Sequence, residues 1–67
     1  MKITLNNRQE EYDRESMTLT ELIELKSFSF RLLVTKVNGK LIRKEQRNET
    51  IIHDGDQVAI IHMISGG

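Results

Sequence analysis

One helix start, in the first third of the chain, constrains the fold more than any other feature of the sequence. Thr18 and Glu21 fit a capping box, in which the Thr18 hydroxyl accepts a hydrogen bond from the third helical N–H and the Glu21 carboxylate accepts one from the Thr18 N–H. The pattern predicts a single helix over residues 19–27, and we expect Phe28, Phe30 or both to fill the core just past its end. Four apolar residues lie at helical spacing on one face of this helix: Leu19, Leu22, Ile23 and Leu25.

Apolar and polar residues alternate on both sides of the helix, which is the pattern of half-buried strands. The alternation and the apolar runs predict strands at residues 1–5, 8–12, 32–37, 40–42 and 57–64. The first and last strands are both long and apolar, so we expect them to pair, with the helix in the crossover that strands of like direction require. One helix among returning strands predicts an α+β domain, with a mixed sheet of four to five strands and the helix packed on one face.

Tight turns and one charged segment connect these elements. Asn38-Gly39 is a strong hairpin signal, and the Asp-Gly-Asp at residues 54–56 predicts a second tight turn. Residues 43–50 are charged or polar, and we expect a solvated loop or one irregular turn there. Glutamates dilute its basic residues, which we expect to lie in solvent: Arg43, Lys44 and Arg47.

Length and composition exclude several classes of function. The 67 residues predict one small domain over residues 1–67, with a single core and no room for a deep ligand pocket, which argues against a self-contained enzyme. Without cysteine there is no disulfide and no thiolate zinc site. Ten basic residues balance ten acidic ones, whereas nucleic-acid binders usually show a basic excess. The sequence shows no secretory signal and no apolar run near the ~20 residues of a membrane span, so we expect a cytoplasmic protein without membrane contact.

Metal and hydrolase sites are not predicted. The two histidines, His53 and His62, show no paired spacing with further ligands, whereas a metal site needs three or four converging ones. A triad of Ser65, His62 and Asp56 is conceivable on paper, but a serine in a terminal tail offers no oxyanion hole. We therefore expect both histidines at the surface or at strand edges.

The sequence ends in Gly66-Gly67, directly after the last predicted strand. A terminal carboxylate without a nearby Cβ is able to thread a narrow channel, and glycine adopts whatever backbone path that channel imposes. Adenylation would turn the carboxylate into an acyl group that sulfur or nitrogen attacks. The alternative interpretation is a frayed chain end without a role.

The last strand has two apolar faces. We assign Val58 and Ile60 to the helix-side core. Ala59, Ile61 and Met63 then form an exposed apolar stripe that would dock on partner proteins. The alternative is that this face is covered within the domain or by a second copy of the chain.

The order of elements, with Gly-Gly emerging from the last strand, resembles the β-grasp fold of ubiquitin-like proteins. More narrowly, the chain resembles the ThiS family of sulfur carriers in thiamine thiazole biosynthesis. The residues that carry the resemblance are spread over nearly the whole chain. They are the first strand with its Asn turn, the helix start at residues 18–23, residues 37–40, Arg43, residues 54–56 and residues 64–67.

The resemblance implies a three-step cycle at the C-terminus. A ThiF-like adenylyltransferase uses ATP and magnesium to adenylate Gly67. A sulfur relay fed by a cysteine desulfurase then leaves a thiocarboxylate, and a ThiG-like thiazole synthase receives the sulfur. The chain would be a cosubstrate without a bound cofactor, a monomer when free, with residues 64–67 as a flexible reactive tail. The residues that thread into partner active sites would be Ile64, Ser65 and Gly66.

The chain departs from the family pattern around Arg43 and in the unusually aromatic connection from Phe28 to Phe30, and two other functions remain open. The Pro common before the residue that aligns with Arg43 is Ile42 here, and residues 44–47 replace the aromatic residue often found just afterwards. A MoaD-like small subunit of molybdopterin synthase, or another biosynthetic carrier, would share the same tail chemistry. A passive β-grasp docking module would not use the tail at all.

Overall fold

A computed structural model describes residues 1–28 and 32–63 of the chain. Within these residues it contains one α-helix, seven short strands and one 3₁₀ turn. In chain order they are β1 (Lys2–Leu5), β2 (Arg8–Glu11), β3 (Ser16–Thr18), α1 (Leu19–Leu25), β4 (Leu33–Val37), β5 (Lys40–Ile42), the 3₁₀ turn Lys44–Gln46, β6 (Ile51–His53) and β7 (Gln57–His62).

Five of the strands form one mixed sheet in the order β2-β1-β7-β4-β5. The β1 and β7 strands pair in parallel, while β1–β2, β4–β5 and β4–β7 are antiparallel. The predicted pairing of the first and last strands is therefore confirmed, as is the α+β class with a mixed sheet. Because β7 is the central strand, its C-terminal end lies in the middle of the row of strand ends on that side of the sheet.

The helix begins at the residue that the capping box predicts, and it ends earlier than the predicted residue 27. The Thr18 hydroxyl accepts from the Glu21 N–H at 3.0 Å, and the Glu21 carboxylate accepts from the Thr18 N–H at 2.8 Å. The helix stops at Leu25 instead of residue 27, because Ser27 takes the left-handed φ of 57°. The Phe28 N–H then donates to the Ile23 carbonyl at 3.1 Å, the long bond of a Schellman cap.

The core lies between the helix and one face of the sheet. Eleven apolar side chains are buried in a single cluster, and Phe28 packs against it half-buried, as predicted. Phe30 lies outside the described residues. The helix contributes Leu19, Leu22 and Ile23; the large sheet contributes Ile3, Leu5, Leu33, Ile42, Val58 and Ile60; and the small sheet contributes Met17 and Ile52.

A two-stranded sheet of β3 and β6 was not predicted. The strands are antiparallel, with Met17 opposite Ile52, and both side chains are buried. Each strand has three residues, which is too short for an alternating pattern to stand out from the polar sequence around it. The β3 strand runs straight into α1, so this small sheet closes the core at the start of the helix.

The charged segment at residues 43–50 differs from the expectation in one respect. Arg43 and Lys44 are exposed as expected, and the 3₁₀ turn is the predicted irregular turn. Arg47, however, is buried with 7% of its surface exposed, so its assignment to solvent is wrong. Hydrogen bonds to β4 compensate for its burial.

Four strand bounds also differ from the prediction. The β1 strand begins at Lys2 instead of residue 1, and β2 ends at Glu11 instead of residue 12. The β4 strand begins at Leu33 because Leu32 has a left-handed φ of 51° and is not extended. The β7 strand ends at His62, earlier than the predicted residue 64. Residue 64 itself lies outside the described residues.

Candidate functional site

The candidate site is the C-terminal end of β7. His62 lies opposite Leu33 on β4, and the Met63 N–H donates to the Leu32 carbonyl at 2.9 Å. The ladder with β4 therefore holds the chain up to the last described residue before the predicted reactive tail. That tail, with Gly67 as the reactive residue, lies outside the described residues: Ile64, Ser65, Gly66 and Gly67.

The two faces of β7 are those expected from the sequence. Val58 and Ile60 are 3% and 2% exposed, while Ile61 and Met63 are 50% and 43% exposed. Ala59 is half-buried. The domain thus leaves the Ile61 face open, and the alternative that the domain itself covers this face is wrong. The role of Ala59, Ile61 and Met63 in docking stays a prediction.

Asn6 holds β7 where its parallel partner ends. Only Thr4 and Leu5 of β1 are in register with β7. Beyond them the Asn6 side chain continues the ladder, because its Oδ1 accepts from the Ile60 N–H at 2.8 Å and its Nδ2 donates to the Ile60 carbonyl at 3.0 Å. The sequence indicates Asn6 as a turn residue, and its left-handed φ of 50° agrees. Its second role has no local sequence signal.

Arg47 secures the strand on the other side of β7. Its Nη2 donates to the Leu33 carbonyl at 2.8 Å, and its Nε donates to the Thr35 hydroxyl at 3.2 Å. The β5 strand ends with Ile42 opposite Thr35, so no β5 residue lies opposite Leu33. The guanidinium thereby caps the part of β4 that β5 does not reach. That same part pairs with the end of β7.

The open face of the sheet extends the predicted stripe onto β4 and β5. Val34 lies opposite Ile61, and Lys36 lies opposite both Ala59 and Leu41. Directly opposed residues of antiparallel strands share a face, so these five residues form one surface, which we call the outer patch. Leu41 and Ile61 are 56% and 50% exposed. The sequence analysis missed Val34, Lys36 and Leu41, because their placement depends on how the strands pair.

The perturbed titratable groups lie away from the outer patch. Two effects raise the pKa of Tyr12 to about 12: partial burial is the larger, and a hydrogen bond to the Glu10 carboxylate is the second. The same bond, together with the Lys26 ammonium at 3.0 Å, lowers the pKa of Glu10. Hydrogen bonds to Thr18 lower the pKa of Glu21. These pKa shifts belong to groups that form hydrogen bonds near β2 and at the start of α1. None of them concerns an acid or base at the end of β7.

The other candidate sites are the two histidines and a triad whose Ser65 lies outside the described residues. Within residues 1–28 and 32–63 there is no cluster of three metal-ligating side chains, and His53 and His62 are both exposed. Asp56 accepts from the His53 N–H at 2.8 Å and so serves the turn before β7. In the same described residues, no helix is long and apolar enough to cross a bilayer.

A mixed sheet with a parallel central pair and one helix on a single face defines the β-grasp class of ubiquitin-like proteins. The crystal structure of the thiamine biosynthesis protein ThiS from Geobacter metallireducens matches the whole chain and is itself matched over 100%, with a TM-score of 0.88 and 30% identity. The solution structure of a thiamine biosynthesis protein from the same organism gives a TM-score of 0.83 at 28% identity, covering 100% of this chain and 88% of that one.

Sequence comparison leads to the same family. The sulfur carrier protein ThiS of Bacillus subtilis (strain 168) is 23% identical over 65 residues, which cover 97% of this chain and 98% of the relative. The family model described as "ThiS family" matches residues 3–67. The chain belongs to the ThiS family and is a sulfur carrier of thiamine biosynthesis, a small protein that is not itself a catalyst.

Proposed function

We propose that the chain carries sulfur as a thiocarboxylate on Gly67 and delivers it for thiazole formation. One observation carries the proposal: the family match runs to residue 67, and the tail follows directly from the central strand β7. Residues 64–67 reach at most about 13–14 Å when extended, at ~3.3–3.6 Å per residue. That length is enough to enter an active site while the sheet stays outside it.

The chemistry conserves the carrier. The Gly67 carboxylate attacks the α-phosphorus of ATP, pyrophosphate leaves, and an acyl-adenylate forms. A persulfide of the relay attacks the carbonyl carbon, AMP leaves, and an acyl disulfide forms. A thiol of the relay then attacks the sulfur that is bonded to the relay, which leaves the thiocarboxylate on Gly67 and a disulfide on the relay. At the synthase the thiocarboxylate sulfur bonds to the acceptor, an oxygen of the acceptor or of water takes its place on the acyl carbon, and the carboxylate is restored as the carbon–sulfur bond to Gly67 breaks. The chain contains no cysteine, so no thiol of its own takes part in these steps.

This cycle requires three partners. A ThiF-like adenylyltransferase uses ATP and magnesium to activate the C-terminus, a relay fed by a cysteine desulfurase supplies sulfur, and a ThiG-like thiazole synthase receives it. The chain binds no cofactor, nucleic acid or membrane and acts in the cytoplasm as a monomer between encounters. The balanced charge of ten basic and ten acidic residues agrees with a diffusing carrier.

The tail is tested by Gly67→Val, whose β-branched side chain would crowd the attack on the terminal carbonyl. We expect this variant to unfold at the same urea concentration as the unaltered chain and to form no thiocarboxylate with the adenylyltransferase, ATP and a sulfur donor. A Gly67→Val protein that gains sulfur at the normal rate would refute the role of the tail.

The docking face is tested by Ile61→Glu, with Ile51→Glu as the matched control. Ile61 and Ile51 are 50% and 43% exposed on different sheets, β7 and β6. We expect Ile61→Glu alone to weaken binding to the adenylyltransferase, while both variants remain folded. Equal binding of the two variants would show that the Ile61 face is not the docking surface.

Retention of the chain by a molybdopterin synthase large subunit instead of the thiazole synthase would assign it to the molybdopterin pathway.

A further inference from the structure

We propose that the partner surface covering the outer patch carries a carboxylate that pairs with the Lys36 ammonium. The inference rests on the proposed function, because it describes the surface that the adenylyltransferase brings to this face. It identifies the partner surface as apolar with an acidic group beside the apolar area.

The position of Lys36 carries the argument. In the strand register Lys36 lies between Leu41 on one side and Ala59 on the other. The Val34–Ile61 pair is the next row on the same face. Lys36 therefore has apolar neighbours on both adjacent strands and in the next row, and polar residues such as Gln57 on its remaining side. A partner that covers Ile61 and Leu41 must also cover Lys36.

No acidic side chain of the described chain occupies this place. Lys36, Ala59 and Ile61 line a hollow of about 360 Å³, whose other walls include Thr4 and Gln57 and no Asp or Glu. The ion pairs among residues 1–28 and 32–63 join Arg14 to Glu21, Lys26 to Glu10 and His53 to Asp56, and none includes Lys36. Lys36 is exposed in the isolated protein.

Covering this ammonium with apolar atoms alone would remove its water without replacing it. A charge withdrawn from water is tolerated when an opposite charge and hydrogen bonds take the place of the solvent. The side chain of Lys36 has a long apolar stem with the charge at its end, and such stems commonly lie along apolar surface while the charge stays in water. A carboxylate over the hollow would meet its end. The same charge would also attract an acidic partner before contact, which raises the association rate at low salt.

The test compares Lys36 with Lys2, which is exposed on the same side of the sheet, on β1 outside the outer patch. Binding of each variant to the ThiF-like adenylyltransferase of the same organism is measured by calorimetry at two salt concentrations. We expect Lys36→Glu to bind roughly 100-fold more weakly and Lys36→Met roughly 10-fold more weakly, with a reduced salt dependence. Lys2→Glu and Lys2→Met should bind as the unaltered chain does.

Two outcomes overturn the inference separately from the proposed function. If the unaltered chain gains sulfur and Lys36→Met binds as tightly or more tightly with unchanged salt dependence, the partner has no carboxylate at this position. If the unaltered chain neither binds the adenylyltransferase nor gains sulfur, the proposed function itself is wrong. Urea unfolding of each variant confirms that the exposed substitutions leave the fold intact.

Discussion

Replacing Arg47 with alanine should destabilise the fold far more than a charged residue in a polar loop would suggest. The side chain is 7% exposed and donates to the Leu33 carbonyl at 2.8 Å and to the Thr35 hydroxyl at 3.2 Å. The Thr35 hydroxyl keeps its own bond to the Ile42 carbonyl, but the Leu33 carbonyl lies beyond the end of β5 and loses its donor. Arg47→Ala therefore removes two charge-assisted hydrogen bonds and the packing of the stem.

The magnitude follows from these contacts. A hydrogen bond to a charged group contributes ~1.5–3 kcal/mol, and we use the lower value because removing Arg47 also relieves the desolvation of its guanidinium. Two bonds then give a loss of about 3 kcal/mol in the free energy of unfolding. For a domain of this size the change lowers Tm by roughly 12–24 °C. A chain of 67 residues has a total stability of roughly 3–10 kcal/mol, so the variant would be marginal.

The assay is urea unfolding followed by far-UV circular dichroism, with Arg43→Ala as the matched control. Arg43 lies in the same segment and is exposed, so its replacement should change the free energy of unfolding by less than about 0.5 kcal/mol. Arg47→Met keeps most of the stem without any donor, and it separates packing from hydrogen bonding. The reasoning is refuted if Arg47→Ala costs no more than Arg43→Ala.

Three further predictions test the elements around the site. The phenol of Tyr12, the single tyrosine of the chain, should titrate by ultraviolet absorbance near pH 12, and Glu10→Gln should shift the midpoint towards 10. Because folding raises the pKa of Tyr12, its contribution to stability is present below pH 10 and is lost as the pH rises towards 12. Thr18→Ala should cost about 1 kcal/mol in urea unfolding through loss of the helix cap. Asn6→Ala should cost roughly 2 kcal/mol, because two backbone groups of Ile60 lose their partners, whereas Asn7→Ala in the same turn should cost less; equal losses would contradict the role of Asn6.

Local signals account for what the sequence predicted correctly. The capping box at Thr18 and Glu21 involves residues three apart, so it can be recognised from the local sequence without knowledge of the rest of the fold. Alternation along β7 separates Val58 and Ile60 from Ala59, Ile61 and Met63, and the burial of Val58 and Ile60 confirms that this set faces the core as assigned. The pairing of the first and last strands was predictable because both are apolar and a helix separates them.

Tertiary contacts account for what the sequence did not show. The burial of Arg47 depends on β5 ending short of Leu33, which no pattern within residues 43–50 reveals. The outer patch depends on the register that sets Lys36 between two neighbouring strands. Likewise, the Asn6 amide contacts Ile60, which is 54 positions away.

The central claim is that sulfur is carried on the last residue of the chain. The direct measurement is tandem mass spectrometry of the C-terminal fragment after incubation with the adenylyltransferase, ATP, magnesium and the sulfur relay. The account predicts that one oxygen is replaced by sulfur and that fragmentation assigns the sulfur to Gly67. Sulfur found elsewhere in the fragment, or an unchanged fragment although the adenylyltransferase releases pyrophosphate from ATP, would contradict it.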